Sequence, residues 1–443
     1  MEYPQLLDCP IDQLQRSNTS AGFDIEGLDQ DMLWNSYMIA PLLQFRSRLA
    51  AHDKARLDAS DMLTTVIRGF AGTMSIPASV SPVPHLQSDT PSTLTVISRL
   101  SSRRAGTRFN SRGIDDDGFV ANFVETETVL WCPPGFSFSY VQIRGSVPVF
   151  WEQSPGLLPG QQKIEIARSF EATRHAFEKH FESLELNYGA VHTINLLSEE
   201  KTGEAELSAR FRRHIADRSK RQQKEDSFSV DHNLSRLTEY DFHAETRGAQ
   251  GYEASNQIRH IIWNALVGFG YFLSDDSGQS TLVDVDAKRE GSTVVLQQEG
   301  VFRTNCLDCL DRTNLVQTII SLMALELCLH QYGGRIVPEI QMRHATLWAD
   351  NGDALSKIYA GTGALKSSFT RHGKMSLAGA IADVRKSATR LYVNNFADKA
   401  RQNTIDMLLG RLPDQVSVDL YDPVNDIVSA ELNRRIDEYT SSK

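Results

Sequence analysis

Cysteine is scarce. The 443 residues hold five, Cys9, Cys132, Cys306, Cys309 and Cys328, too few and too unevenly spaced for a disulfide framework, so a reducing compartment is expected. A secretory leader is not expected, because MEYPQLLDCPIDQLQRS has neither a basic opening nor an apolar stretch. Long apolar runs are missing too. The most apolar segment, LVQTIISLMALELCLH at 315–330, carries Gln317, Ser321 and Glu326 and is shorter than a bilayer span of roughly 20 residues. It reads as a buried helix, so no transmembrane segment is expected and any membrane contact is peripheral, from the cytoplasm. Positive charge is not in surplus: the formal net charge of −10 argues against a nucleic-acid partner, which needs a basic face. The local exception is RFRRHIADRSKRQQK, residues 210–224, with seven Lys or Arg against one acid, Asp217. It has two readings, a solvated helix face or a contact with an anionic surface.

What is present is ordinary globular material, 41% hydrophobic and 23% charged, enough for a large core or two domains. Apolar residues at helical spacing predict helix over most of 27–72. Residues 74–92, with four prolines among small polar residues, read as loop and as a candidate boundary. TLTVISRL, FVANFVETETVLW and SYVQIRGSVPVFW are rich in β-branched and aromatic residues and read as strands. Helix is expected over 161–186, a buried strand at 190–197 and amphipathic helix over 376–410. That order predicts an α/β fold, with α+β as the variant: a mixed β-sheet flanked by helices. The expected divisions are 1–92, 93–410 and a polar linker or tail over 411–443.

Two of the five cysteines lie in RTNCLDCLDRTN, residues 303–314. Read from Cys306 to Cys309 it is half a zinc site or a dithiol pair. The zinc reading is poor, because the nearest further ligands, Cys328 and His330, sit in the apolar run, where Cys328 is simplest as a small core residue. The redox pattern has its C-x-x-C opening a helix, with no arginine needed beyond it; here strand GVF precedes the loop and the helix is expected after Arg312. Read from Cys306 to Arg312 it is C-x5-R between strand and helix, which suits a phosphate monoester. Loop N–H groups can point inward, the helix adds its positive dipole end, and a planar guanidinium can grip two oxygens.

The same field would lower a cysteine thiol from about 8.5 into the range of roughly 3.5 to 7.5. Cys306 is therefore the candidate nucleophile and Arg312 the phosphate clamp. Thr313 either caps the helix or donates its hydroxyl to the sulfur. Of the two loop carboxyls, Asp308 is preferred as general acid, with Asp311 bracing the loop. Leu307, Cys309, Leu310 and Asp311 are the loop's candidate substrate-binding positions, with Asn305 and Asn314 holding its shape. Cys309 is either a small residue packed under the loop or the partner of a protective disulfide. The chemistry needs no metal or other cofactor.

RTNCLDCLDRTN resembles the signature of the Sac-domain phosphoinositide phosphatases, with Asn305 where protein tyrosine phosphatases have His. RRAGTRFNSRGIDDDGFVANFVETE (103–127), SYVQIRGSVPVFWEQ, YDFH (240–243) and LWADNGDALSKIYAGTGALKSSF (347–369) are similar to the same family, the last most like the Sac domain of synaptojanin-type proteins. The resemblance covers nearly all of 95–410. It implies a phosphatase acting on phosphatidylinositol phosphates at a membrane surface, removing a 3- or 4-phosphate through a cysteinyl-phosphate. It also raises the chance that Arg104 and Arg108, in the cluster with Arg103 and Arg112, meet substrate phosphates. On this reading 1–92 is the remnant of a longer N-terminal Sac region, 93–410 is the catalytic domain, and the inositol 5-phosphatase domain of synaptojanin-type proteins is absent. The alternatives are a catalytically weak scaffold or lipid-binding module, and a protein phosphatase.

Overall fold

The computed structural model describes residues 29–60, 62–84, 86, 89–154, 163–225, 235–246, 256–275, 294–305, 307–308, 310–365, 370–371, 386, 389 and 398–411. Helices α1 (Ser36–Ser47) and α2 (Ala51–Asp58) come first, joined by an Arg46–Asp58 ion pair at 2.6 Å. Strands β1 (Gly69–Ile76), β2 (Ser92–Leu100), β3 (Val124–Cys132) and β4 (Phe136–Gly145) follow. A two-stranded ribbon of β5 (Trp151–Ser154) and β6 (Lys163–Ile166) stands apart. Next come α3 (Phe170–Tyr188), β7 (Ala190–Asn195), α4 (Thr202–Glu225), β8 (Ser235–Glu239), the single turn α5 (Phe242–Glu245) and α6 (Ile258–Phe269). Then β9 (Phe272–Asp275), β10 (Val294–Leu296), β11 (Gly300–Asn305), α7 (Asp311–Gln331), α8 (Pro338–Ala360) and α9 (Asp398–Leu408) complete the described elements.

The main sheet runs β1-β2-β3-β4-β11-β7-β8, with β9 on β4 and β10 on β9. It is antiparallel from β1 to β4 and parallel from β4 through β11 and β7 to β8. β4 is the junction: Phe136–Ser139 pair antiparallel with β9, and Ile143–Gly145 pair parallel with β11. This is the mixed sheet flanked by helices that the residue pattern predicts.

Both faces of the parallel half are covered, so β11 is buried throughout and does not show polar alternation. Successive side chains point to opposite faces. Phe302 packs with Ile319, Ile320 and Met323 of α7 and Trp348 of α8 in one apolar cluster. Val301 packs on the other side with Phe177 and Phe181 of α3 and Phe211 of α4. β11 opens where there is no room for a side chain: a Cβ on Gly300 would lie 2.3 Å from the Phe269 ring.

The strands depart from expectation in two places. Lys163–Ile166 pair with β5 as β6 at the start of the span 161–186, where helix is expected but begins only at Phe170, and β1 takes the end of the span 27–72. Residues 69–76 are strand, not the end of a helix or the start of a loop, because Gly69 to Ile76 pair in register with Arg99 to Ser92 of β2. Tertiary pairing overrides local helical spacing there, and the proline-rich segment connects two paired strands. Most of 376–397 and all of 412–443 lie outside the described residues.

The apolar run becomes α7. It is the one helix among the described residues long and apolar enough to cross a membrane, and 72% of its apolar window is buried. Its polar residues anchor it to neighbouring elements. Gln317 Nε2 donates to Ile143 O at 3.0 Å, and Ser321 Oγ lies 2.8 Å from Thr128 Oγ1 and 2.9 Å from His344 Nε2. Cys328, on this helix, is fully buried, and burial pushes its thiol far up.

Candidate active site

The site lies at the carboxyl edge of the parallel strands, where β11 ends and α7 begins. Asn305 pairs with Gly145 of β4 and Asn195 of β7 in the last register of the ladder. The strand thus extends two residues past Arg303, and the helix opens at Asp311 rather than after Arg312. Pairing on both flanks holds Arg303 to Asn305 extended. Five residues, 306–310, make the connection, and Arg312 lies in the first helical turn. Cys306 and Cys309 lie outside the described residues.

Arginines grip the rest of the loop. Arg108 donates from Nε to Asp308 Oδ1 at 2.9 Å and from Nη2 to Oδ2 at 2.5 Å. Arg112 donates from Nη2 to Asp308 Oδ1 at 2.6 Å and from Nη1 to Leu307 O at 2.7 Å. Its guanidinium lies 5.3 Å from the Trp151 ring centroid and 5.7 Å from that of Tyr359, and it also donates to Gln153 Oε1. Asn122 Nδ2 donates to Asp308 O at 3.1 Å. Burial alone would push the Asp308 carboxyl up, but Arg108 and Arg112 hold it well below the usual carboxylate range. In this state Asp308 is an ionised ion-pair partner with no proton to give.

Arg312 Nη1 donates to Leu196 O at 2.9 Å, just beyond β7, and to Glu204 Oε2 at 3.2 Å in the first turn of α4. Asp311 Oδ1 accepts the Leu365 N–H at 2.6 Å, tying the helix start to the segment after α8. Leu310 is buried against Tyr359 and Ala360, and Leu307 packs at the margin of the α3/α4 cluster.

Asn314 faces away from the loop, donating to Trp348 O at 2.8 Å and accepting from Arg144 Nη2 at 3.3 Å. It fits against α8 only because residue 352 is glycine, whose added Cβ would lie 2.6 Å from Asn314 Nδ2. Thr313 Oγ1 and both amide atoms of Asn305 are buried and meet no hydrogen-bond partner among the described residues.

One expectation about basic residues comes out differently. Arg104 does not reach the loop. At a φ of +42°, it donates from Nε to Arg112 O at 3.0 Å and Gly113 O at 3.2 Å, bracing the turn that presents Arg112. Its other side opens on a cavity of about 390 Å³ shared with Arg103, Asp115 and Arg411. Of the seven basic residues in the run on α4, three pair within the fold and Arg213 lies over the Phe170 ring. Arg212, Arg213 and Lys220 are exposed, as a solvated helix face would have them. Arg218 pairs with Glu178 and with Glu185 at 2.5 Å, Arg221 pairs with Glu178, and Arg212 pairs with Glu239 at 2.7 Å. Those arginines form an ion-pair seam between helices and sheet edge.

Residues 11–247 match the family model described as the SacI homology domain. The chain belongs to that family. It is 46% identical over 431 residues to inositol-1,4,5-trisphosphate 5-phosphatase 1 of Schizosaccharomyces pombe, covering 97% of this chain and 36% of that protein. Synaptojanin-1 of Homo sapiens is 39% identical over 350 residues, 78% of this chain and 20% of that protein. Phosphatidylinositol-3-phosphatase SAC1-B of Danio rerio is 32% identical over 409 residues, 90% of this chain and 61% of that protein. The chain thus spans about a third of the first of these relatives.

The structure brings Arg108 and Arg112, inside the matched residues 11–247, together with Asp308 and Arg312 beyond them. Asn122, Gln153, Leu196 O and Glu204 also belong to the surroundings of the loop and carried no local signal. Their contacts join positions 41 to 186 residues apart, so only the nearby RRAGTRFNSR cluster hinted at any of this.

Proposed function

We propose that this chain is a cysteine-dependent phosphatidylinositol phosphate phosphatase, working at the cytoplasmic surface of membranes without a metal. The observation that carries the reading is that two guanidiniums, from Arg108 and Arg112, grip the connection between a buried parallel strand and a helix N-terminus, with Arg312 in the first turn of that helix. A phosphate dianion is the ligand such a site favours.

In the proposed reaction the Cys306 thiolate attacks phosphorus, the inositol oxygen leaves, and water then hydrolyses the cysteinyl-phosphate. Arg312 and the loop N–H groups of Leu307, Cys309, Leu310 and Asp311 stabilise the transferring phosphoryl oxygens. Asn305 and Asn314 hold the loop ends. Thr313 donates its hydroxyl to the sulfur as the thiolate departs; its buried, unsatisfied oxygen supports that role.

Asp308 becomes an acid only by exchange. When a substrate phosphate draws Arg108 and Arg112 away from it, the two groups that keep Asp308 ionised are lost and its burial raises its affinity for a proton. The protonated carboxyl then gives its proton to the leaving inositol oxygen, and the resulting carboxylate takes a proton from the attacking water in the second step.

The names and coverage of the relatives support a substrate position. The zebrafish relative, 61% covered, is named a 3-phosphatase, whereas only 36% of the fission-yeast relative named a 5-phosphatase is matched. A 3- or 4-phosphate is therefore the proposed target. The test is phosphate release from liposomes carrying each monophosphorylated phosphatidylinositol, with Cys306→Ser beside the parent. Release from the 3- or 4-isomer that vanishes in Cys306→Ser is expected. No release from any isomer, or release that survives in Cys306→Ser, would sink the reading.

A further inference from the structure

The carboxylate nearest the clamp arginine belongs to an element far from the loop in sequence. Glu204 lies in the first turn of α4, 4% exposed, and its Oε2 accepts both the Ser198 N–H at 2.9 Å and Arg312 Nη1 at 3.2 Å. Its Oε1 accepts from Lys201 Nζ at 3.3 Å. The Ser198 contact fixes the carboxylate to the backbone just after β7, and Leu196 O, from the same stretch, takes the same Arg312 nitrogen at 2.9 Å. One arginine nitrogen is thus held by two acceptors that the end of β7 positions rigidly.

A long side chain loses rotamer freedom when it is fixed, so a guanidinium held in place before substrate arrives spares that cost at the transition state. We propose that Glu204 is a positioning residue that orients Arg312 for oxyanion binding in this domain. The inference rests on the phosphatase reading above and names a residue of that same site. A competing role is also physically available: a carboxylate beside the clamp could act only as a counter-charge that weakens phosphate binding. The two roles have opposite signs.

The experiment measures liposomal phosphate release and orthovanadate affinity by calorimetry for the full chain, Glu204→Gln and Glu204→Asp. Thermal melts confirm folding. If Glu204 positions Arg312, Glu204→Gln lowers kcat and weakens orthovanadate by about tenfold, the size expected for a lost hydrogen bond between charged groups. Glu204→Asp, which keeps the charge one methylene short, falls between. In an Arg312→Lys background, where the planar fork is gone, Glu204→Gln has no further effect.

Unchanged or tighter orthovanadate binding in Glu204→Gln overturns the inference, as does an equal loss in the Arg312→Lys background. If Glu204→Gln does not fold, Glu204→Asp decides by the same two readouts. Orthovanadate reads Glu204 without turnover, so the failures separate. A parent without Cys306-dependent release sinks the phosphatase reading, and a parent that binds no orthovanadate sinks both.

Discussion

Two buried charge clusters, one in each half of the sheet, are built with opposite arithmetic. In the antiparallel half Arg99 serves two carboxylates, Glu125 at 2.8 Å and Glu127 at 2.7 Å. Tyr188 adds a hydrogen bond to Glu125 and Ser139 one to Glu127. In the candidate site a single carboxylate, Asp308, serves two arginines. The first cluster has excess negative charge, sits on neighbouring strands in fixed register and has nothing to offer an anion. The second has excess positive charge, joins loop to loop, and sits at a strand's carboxyl end. Burial is shared by both, so burial alone does not distinguish a structural cluster from a binding one. Charge balance and the freedom of the supporting backbone do.

The sharpest way to break the comparison is to remove an arginine from each side. Arg99→Ala leaves two carboxylates buried, and such losses cost about 3–5 kcal/mol. Urea unfolding should show that loss, with kcat per folded molecule unchanged. Arg112→Lys keeps the charge but loses the fork that reaches Asp308 and Leu307 O together. Its expected effect is on kcat/KM, about a hundredfold or roughly 2.7 kcal/mol, read in the liposome assay. If Arg99→Ala lowered kcat as much as Arg112→Lys did, the division into structural and binding clusters would be wrong.

A smaller effect separates the clusters by pH. Asp308 has its folded pKa lowered, so its stabilisation is present above the unfolded value of about 3.9 and fades as pH falls through the lower folded value. Glu125 has its folded pKa raised, because burial outweighs the pull of Arg99. Its contribution is full below about 4.3 and is lost as pH rises through the folded value. Melting temperatures from pH 3 to 7 should therefore show the parent's advantage over Asp308→Asn shrinking toward the acid end. Glu125→Gln should gain on the parent as pH rises. Slopes of the same sign for both variants would contradict the assignment.

Much of this was legible in the sequence because it is local. The mixed sheet with flanking helices followed from β-rich runs giving way to alternating strand and helix. The burial of α7 followed from an apolar run broken by Gln317, Ser321 and Glu326, although the helix itself proves long enough to cross a bilayer. The string RTNCLDCLDRTN suggested phosphate chemistry, which stays a proposal, because candidate nucleophile, arginine and helix start fall within one short connection. What escaped was set by pairing at a distance. Residues 69–76 became strand because β2 offered an edge, and three arginines of the basic run on α4 were engaged because acids on α3 and β8 face them. Arg104 was expected at the substrate and instead braces the turn behind Arg112, a difference of where a guanidinium points that no residue count reveals.

By itself the sequence determined the family, the mixed architecture and the loop in which Cys306 and Arg312 are placed, since these depend on residue type and spacing along the chain. The tertiary structure alone decided which charges meet. It gave Asp308 to Arg108 and Arg112, and Arg312 to Glu204, because Coulomb attraction and desolvation depend on distance through space. Those distances were set when β4, β11 and β7 aligned their carboxyl ends.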